Sequence, residues 1–445
     1  MDPFRAFHTK IQVLANLNEN IVNSHFPEEL DHCVVRRKKP KTSAKADNSW
    51  SISSDSNDNA VPGPATISRG PPRLRPPLPQ EVTELILRDL SKVELLPVLR
   101  SNKALYSVAV RVLYRELAES SPSRLISLLR ALLPQTHVHP HVRKLDLNIA
   151  SLECPTANLY RTLHALLRRT TGLASLSLDL PKAHSPVWIF EGCSFKLRQF
   201  STSMHCSPAL ARFLDTQDRI VQLTLRGFQN DTMRSLPYLY MDITHTLTGI
   251  PGSGAIEILK KQEAGLEPFV LSPGALPRLA VFNAIHAGPA VVGEVVKGRP
   301  VTTVSIPLFS TNARRSLDAL EGSAVPLKRL SIISFDPDAP NYIFEQVATR
   351  FPELEALHIV VLLAEFTNEL LLAACQHLRH FKRLKYITCV ATSSEESSVA
   401  EEQEIAEKWH EECPTLRTII LPRGRVWFQK PARISSDRNW ECLED

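Results

Sequence analysis

What this 445-residue sequence lacks narrows its function before any motif is read. Its eight cysteines (Cys33, Cys154, Cys193, Cys206, Cys375, Cys389, Cys413 and Cys442) are scattered, and no C-x-x-C pair occurs. That pattern points to reduced thiols in an intracellular protein, cytoplasmic or nuclear, rather than to a disulfide framework or a zinc module. No apolar run approaches the ~18 residues of a membrane-spanning helix. The N-terminal MDPFRAFHTK has no apolar h-region, so neither a membrane span nor a secretory signal is expected. Catalytic signatures are missing too: there is no G-x-S-x-G, H-E-x-x-H or kinase-type set, and Ser, His and Asp never pair at a diagnostic spacing. No enzyme, metal or cofactor is expected.

Bulk charge is equally unassertive. The net charge is +5, and residues 1–75 hold 11 Lys+Arg against 8 Asp+Glu, so more than half of the excess sits in that stretch. A nucleic-acid-binding face is not called for on these grounds. Two near-motifs fall short. His137, His139 and His141 alternate in H-V-H-P-H, but the nearest thiol, Cys154, lies beyond an expected strand. Gly249-Ile250-Pro251-Gly252-Ser253-Gly254 lacks the Lys-Ser/Thr of a phosphate-cradling loop and reads as a connection.

Residues 78–117, by contrast, are dense in apolar side chains: Leu78, Val82, Leu85, Ile86, Leu87, Leu90, Leu95, Leu96, Val98, Leu99, Leu105, Val108, Val112 and Leu113. Pro79 suits a first helical turn. Ser91 with Glu94 forms a capping box for a second helix, and Ser101-Asn102 breaks the run before a third. A unit this small cannot bury so much apolar surface alone, so part of it is expected to meet a partner.

Leu78-Pro79, Glu81-Val82, Leu85-Ile86-Leu87, Leu90, Glu94-Leu95-Leu96 and Ser101-Asn102-Lys103 resemble an F-box in order and spacing. Ala109 to Arg115 is similar to the end of fungal F-boxes. Pro97 departs from the family, falling where the second helix should run, so that helix is expected to start late or kink. The resemblance implies docking on a Skp-family adaptor and, through it, a cullin. The adaptor contact would fall on Leu78, Pro79, Val82, Ile86, Leu87, Leu95, Leu96 and Leu99, some of which must instead form the unit's own core.

Around this unit, assigned to 76–118, the chain divides further. Phe4, Phe7, Ile11, Leu14, Leu17 and Ile21 have helical spacing. Residues 1–30 thus read as an amphipathic helix or as a transient helix in a disordered tail. Residues 31–75 read as a disordered linker rich in basic residues, Ser and Pro. Within it, Arg36, Arg37, Lys38, Lys39 and Lys41 are the candidates for a nuclear-import signal. Residues 426–445 read as a tail.

From 119 to 425 the rhythm changes. An L-x-x-L-x-L pattern recurs ten times, starting at Val142, Leu173, Leu197, Ile220, Leu279, Val301, Leu327, Leu354, Leu384 and Leu416. The steps are 22–32 residues except one of 59, which marks a degenerate repeat or an insertion around 230–272. Helical stripes intervene: Leu159, Leu163, Leu166 and Leu167; Ile343, Phe344, Val347 and Phe351; Leu371, Cys375, Leu378 and Phe381. The expected class is α/β, short parallel strands alternating with helices in a leucine-rich-repeat-like solenoid after the three-helix unit. This part resembles the irregular leucine-rich repeats that follow fungal F-boxes. A doubly wound parallel sheet is the lower-ranked alternative.

Alternate strand residues would face outward, which nominates Asp146, Asn148, Ser177, Asp179, Thr224 and Arg226 for contact with a protein substrate. The glutamates at 395, 396, 401, 402, 404, 407, 411 and 412 read as the solvated face of a late repeat helix. The resemblance implies a substrate adaptor of an SCF-type (Skp–cullin–F-box) ubiquitin ligase. The rival is a binding scaffold outside ubiquitin chemistry, with the helical unit as a solenoid cap.

Overall fold

A computed structural model of the chain describes residues 78–152, 157–181, 184–227, 268–309, 312–391, 397–429 and 440–443. The expected helix in 1–30, the linker with its basic run, the Gly249–Gly254 connection, Cys154, Glu395 and Glu396 lie outside the described residues.

Three helices come first: α1 (Gln80–Arg88), α2 (Lys92–Ser101) and α3 (Lys103–Leu113). Pro79 is the N-cap of α1 rather than part of its first turn. The reciprocal Ser91–Glu94 cap starts α2 at Lys92, and the helix runs on past Pro97 to Ser101. The late start expected from Pro97 does not occur, because the cap satisfies the first orphan amides and the proline removes only one internal donor. Asn102 then caps α3, its Oδ1 accepting from the Leu105 amide at 2.8 Å.

A single thirteen-stranded sheet follows, its strands adjacent in chain order. Its members are β1 (Glu116–Glu119), β2 (Lys144–Asn148), β3 (Ser175–Asp179), β4 (Gln199–Thr202), β5 (Gln222–Leu225) and β6 (Val281–Ala284). It continues through β7 (Thr303–Leu308), β8 (Arg329–Ser334), β9 (Ala356–Val361), β10 (Tyr386–Ala391), β11 (Thr418–Ile420), β12 (Val426–Gln429) and β13 (Trp440–Leu443). Pairing is parallel from β1 to β11 and antiparallel at β11–β12 and β12–β13. Doubly wound sheets reverse their strand order at a switch point. This order never reverses, so that alternative is excluded and the architecture is solenoid-like.

Every one of the ten repeat motifs carries a strand, β2 to β11. Their central apolar residues fall in one register row: Leu145, Leu176, Phe200, Leu223, Phe282, Val304, Leu330, Leu357, Ile387 and Ile419. All belong to one continuous core. The connecting helices supply its other wall: α4 (Pro122–Leu132), α5 (Ala157–Arg169), α6 (Pro208–Asp215), α7 (Pro289–Val296), α8 (Ala313–Leu320), α9 (Ala339–Arg350), α10 (Asn368–Ala373), α11 (Cys375–Leu378) and α12 (Val399–Glu412).

The 59-residue step is an insertion. β5 and β6 are direct neighbours, Leu223 opposite Phe282, so no strand of the sheet stands for a lost repeat. The chain leaves β5 through Gly227, where an added Cβ would lie 1.7 Å from the Met204 carbonyl oxygen; only glycine fits.

Both ends of the sheet exceed what the motif marks. β1 begins within the stretch assigned to the helical unit and ends one residue past it, and residues 426–429 and 440–443 of the expected tail are strands. Trp427 and Trp440 from these last strands are buried in the core. Among the described residues no helix is long and apolar enough to cross a membrane.

Candidate binding surfaces

The helical unit separates its leucines into two groups. Leu87 of α1 and Leu95 of α2 pack on Val108 and Ala109 of α3, forming a small core of their own. Leu99 is half-buried and touches both this core and that of the sheet, while Val110 and Leu117 belong to the sheet core. Leu78, Val82, Ile86 and Leu96 instead stand exposed, at 64%, 40%, 52% and 49%, beside exposed Pro79. Leu85 and Val93 join them, at 59% and 75%. Val82, Leu85 and Ile86 follow three/four spacing and make one stripe on α1; Val93 and Leu96 do the same on α2. Of the eight residues nominated from the sequence, then, Leu87 and Leu95 are core. Leu85 and Val93 extend the exposed set, and their place in the same stripes was the available signal.

The second surface is the sheet face away from the helices. Asp146, Ser177 and Thr224 lie in one register row, continued by Ser201 between the last two. Beyond β5 the row runs on through Asn283, Ser305, Ser331, His358 and Thr388. Every occupant from β2 to β10 is polar although the residues flanking each are buried. The middle slot of L-x-L carried this signal in the first nine repeats, and reading those nine slots instead of three would have found the whole row.

Its depth increases along the sheet. Asp146, Ser177 and Ser201 are partly exposed, whereas Thr224, Asn283, Ser305, Ser331, His358 and Thr388 are buried. Asn283 Nδ2 donates to Thr224 Oγ1 at 3.3 Å, while Asn283 Oδ1 and His358 Nδ1 are buried without a hydrogen-bond partner among the described residues. Burial, with the Arg329 cation adding to it, lowers the His358 pKa to about 4, so the imidazole is neutral at pH 7.

The remaining nominated residues sit one step toward the strand ends. Asn148 opposes Asp179, and Arg226 pairs with Asp179 at 3.6 Å across the intervening strand. Asn148 Oδ1 accepts from the Ala150 amide at 3.2 Å. In the later repeats the equivalent row is apolar, with Pro307 and Ile333 buried and Val360 and Val390 half-buried. The outer face therefore changes from charged at β2–β5 to a polar row beside an apolar one at β7–β10.

Other expected groups have structural places. His139 is buried, its Nε2 2.9 Å from the Leu132 carbonyl oxygen. Burial raises the thiol pKa values of Cys193 to about 11 and Cys206 to about 12, which disfavours reactive thiolates. Glu402 corrects the reading of α12 as a uniformly solvated acidic face. It is 2% exposed, held by Ser397 Oγ at 3.1 Å, Arg425 at 3.0 Å and Trp427 Nε1 at 3.1 Å. Among the described residues no group of three His, Cys, Asp or Glu could hold a metal ion. No family model and no curated protein matches the sequence.

Proposed function

We propose that this protein is the substrate-recognition adaptor of an SCF-type ubiquitin ligase, its three-helix unit binding a Skp-family adaptor and the outer sheet face binding a protein substrate. The carrying observation is the division of the helical unit into a four-residue core and the exposed aliphatic side chains Leu78, Val82, Leu85, Ile86, Val93 and Leu96, with Tyr106 of α3 exposed as well. Their exposure on a soluble surface is unfavourable, by about 1.5–3 kcal/mol for each large side chain relative to full burial. Exposed apolar stripes of this kind mark an interaction site. The F-box resemblance of the same residues names the partner class. The solenoid-like sheet adds an outer face whose polar row is partly exposed at Asp146, Ser177 and Ser201, and repeat arrays of this kind suit macromolecular binding.

One observation favours the alternative, in which the unit caps a scaffold outside ubiquitin chemistry. Val110 and Leu117 join the sheet core, so the end of α3 and β1 seal the first edge of the sheet. That seal does not involve the exposed stripes.

Co-expression of the full chain with a Skp-family adaptor, followed by size-exclusion chromatography, tests the proposal. Co-elution at one-to-one is expected. A folded chain that elutes alone sinks the ligase reading and favours the scaffold.

A further inference from the structure

The basic residues, unremarkable in bulk, are gathered along one edge of the sheet. Leu197, Ile220 and Leu279 are buried core residues that introduce β4, β5 and β6. The residue before each is an exposed cation: Lys196, Arg219 and Arg278. Register here is fixed by the backbone, since the Val221 amide donates to the Arg198 carbonyl at 2.8 Å and the Ala280 amide to the Val221 carbonyl at 2.9 Å. Counting back two residues from Arg198, Val221 and Ala280 puts the three cations side by side on successive strands. Neighbouring strands lie ~4.8 Å apart, so they fall within roughly 10 Å. Arg198, also exposed, adds a fourth positive charge one step inward.

This cluster is poorly compensated. Lys196 pairs with Asp218 at 3.5 Å, an exposed contact. Arg198, Arg219 and Arg278 make no side-chain hydrogen bond or ion pair among the described residues. The same edge at β8–β10 is different, because Glu355 pairs with Lys328 and Lys385, and Glu353 with Lys382 and Arg383. Four cations share two glutamates there, whereas the three arginines at β4–β6 have no carboxylate partner among the described residues.

We propose that Lys196, Arg198, Arg219 and Arg278 form a docking patch for a carboxylate-rich, extended segment of a protein partner. Arginine forks match carboxylates in two-point geometry. In an extended segment, every second side chain is on one side and repeats at ~6.8 Å, between the one-strand (~4.8 Å) and two-strand (~9.6 Å) spacings of the cations, a difference that long arginine side chains can span. Two observations favour distributed carboxylates over a single phosphate or a nucleic acid. The arginines are exposed and held by no buried partner, so they are not preorganised around one tetrahedral dianion. The positions between them, Val221 and Ala280, are aliphatic, with Val221 40% exposed; they offer apolar contact to a peptide and no stacking platform for bases.

The patch stands apart from the three-helix unit, so it is tested on the full chain without any adaptor, and either reading can fail without the other. The probe is a short fluorescein-labelled peptide of alternating Glu and Gly, titrated at low salt and followed by anisotropy. Saturable binding is expected, weakening as added salt shortens the screening length from ~10 Å at 0.1 M toward ~3 Å at 1 M. The Arg198→Glu/Arg219→Glu/Arg278→Glu variant should bind at least ~10-fold more weakly, since several exposed pairs are inverted together. Arg278→Gln alone, a milder surface change, should give a smaller loss with an unchanged melting curve. Reversing Lys92 and Lys103 on the helical unit should change nothing, and a Gln–Gly peptide should not bind.

Absence of binding by the Glu–Gly peptide, or equal binding by the triple variant, overturns the proposal. So does a phosphoserine peptide or a single-stranded oligonucleotide that displaces the probe at far lower concentration and loses its own binding in the triple variant. Those outcomes reassign the patch to a phosphate or to nucleic acid.

Discussion

His358 illustrates how an outer-face residue couples binding surface to stability. It occupies the polar row at mid-strand, 7% exposed, with Nδ1 unpartnered, and burial is the chief cause of its depressed pKa. Folding therefore opposes its protonation. Above the unfolded value near 6.5 the imidazole is neutral in both states and nothing is lost. As pH falls through the window from about 6.5 to about 4, the unfolded chain takes up a proton that the folded chain refuses, and stability declines. Between pH 7 and pH 5 the decline from this group is on the order of 2 kcal/mol. Urea titrations at the two pH values should show that decrement shrinking in His358→Gln; an identical decrement in wild type and variant would remove His358 as its source.

At the scale of elements, adjacent leucines in α2 have opposite fates. Leu95 is buried at 2% and Leu96 is exposed at 49%. Leu95→Ala should lower stability by about 2–5 kcal/mol and melt the helical unit. Leu96→Glu should leave stability within about 0.5 kcal/mol while weakening adaptor capture. Thermal melts and the co-elution assay separate the two effects, and a large loss of melting temperature in Leu96→Glu would assign that side chain to packing.

These elements also show what was legible. The Ser91–Glu94 cap and the ten strand motifs were readable because each is a local pattern with a local physical cause. The division between Leu95 and Leu96 was not, since both fit an apolar run and only α3 decides which is covered. Glu402 shows the same limit, as its partner Trp427 comes from a strand beyond the last motif and Arg425 from the residue just before that strand. The basic patch was hidden for a different reason: a net charge sums over the chain, whereas the patch depends on which repeats have acids at the same register.

For the whole molecule, the question is how a sheet of consecutive parallel strands covers the two ends of its core. At the start, β1 and the last turn of α3 cover β2. At the far end, β12 and β13 turn back antiparallel, and the last-but-one of these strands is pinned to α12 by Glu402. Repeat arrays need such terminal units because each repeat buries its apolar side only against a neighbour. A chain ending at residue 425, where the motifs stop, would lose Trp427 and Trp440 from the core and leave β11 as an unpaired edge. Glu402 would also lose its indole partner. Truncation there should lower the melting temperature and promote self-association through the bare strand. Glu402→Ala in the full chain should reproduce part of the loss, about 1–3 kcal/mol, because it leaves the buried Trp427 N–H without its acceptor and takes the carboxylate from Arg425. Light scattering and thermal melts on both proteins give the readout. A monomeric truncated chain with an unchanged melt would mean that the antiparallel pair is an appendage, and that α12 with β11 already closes the core.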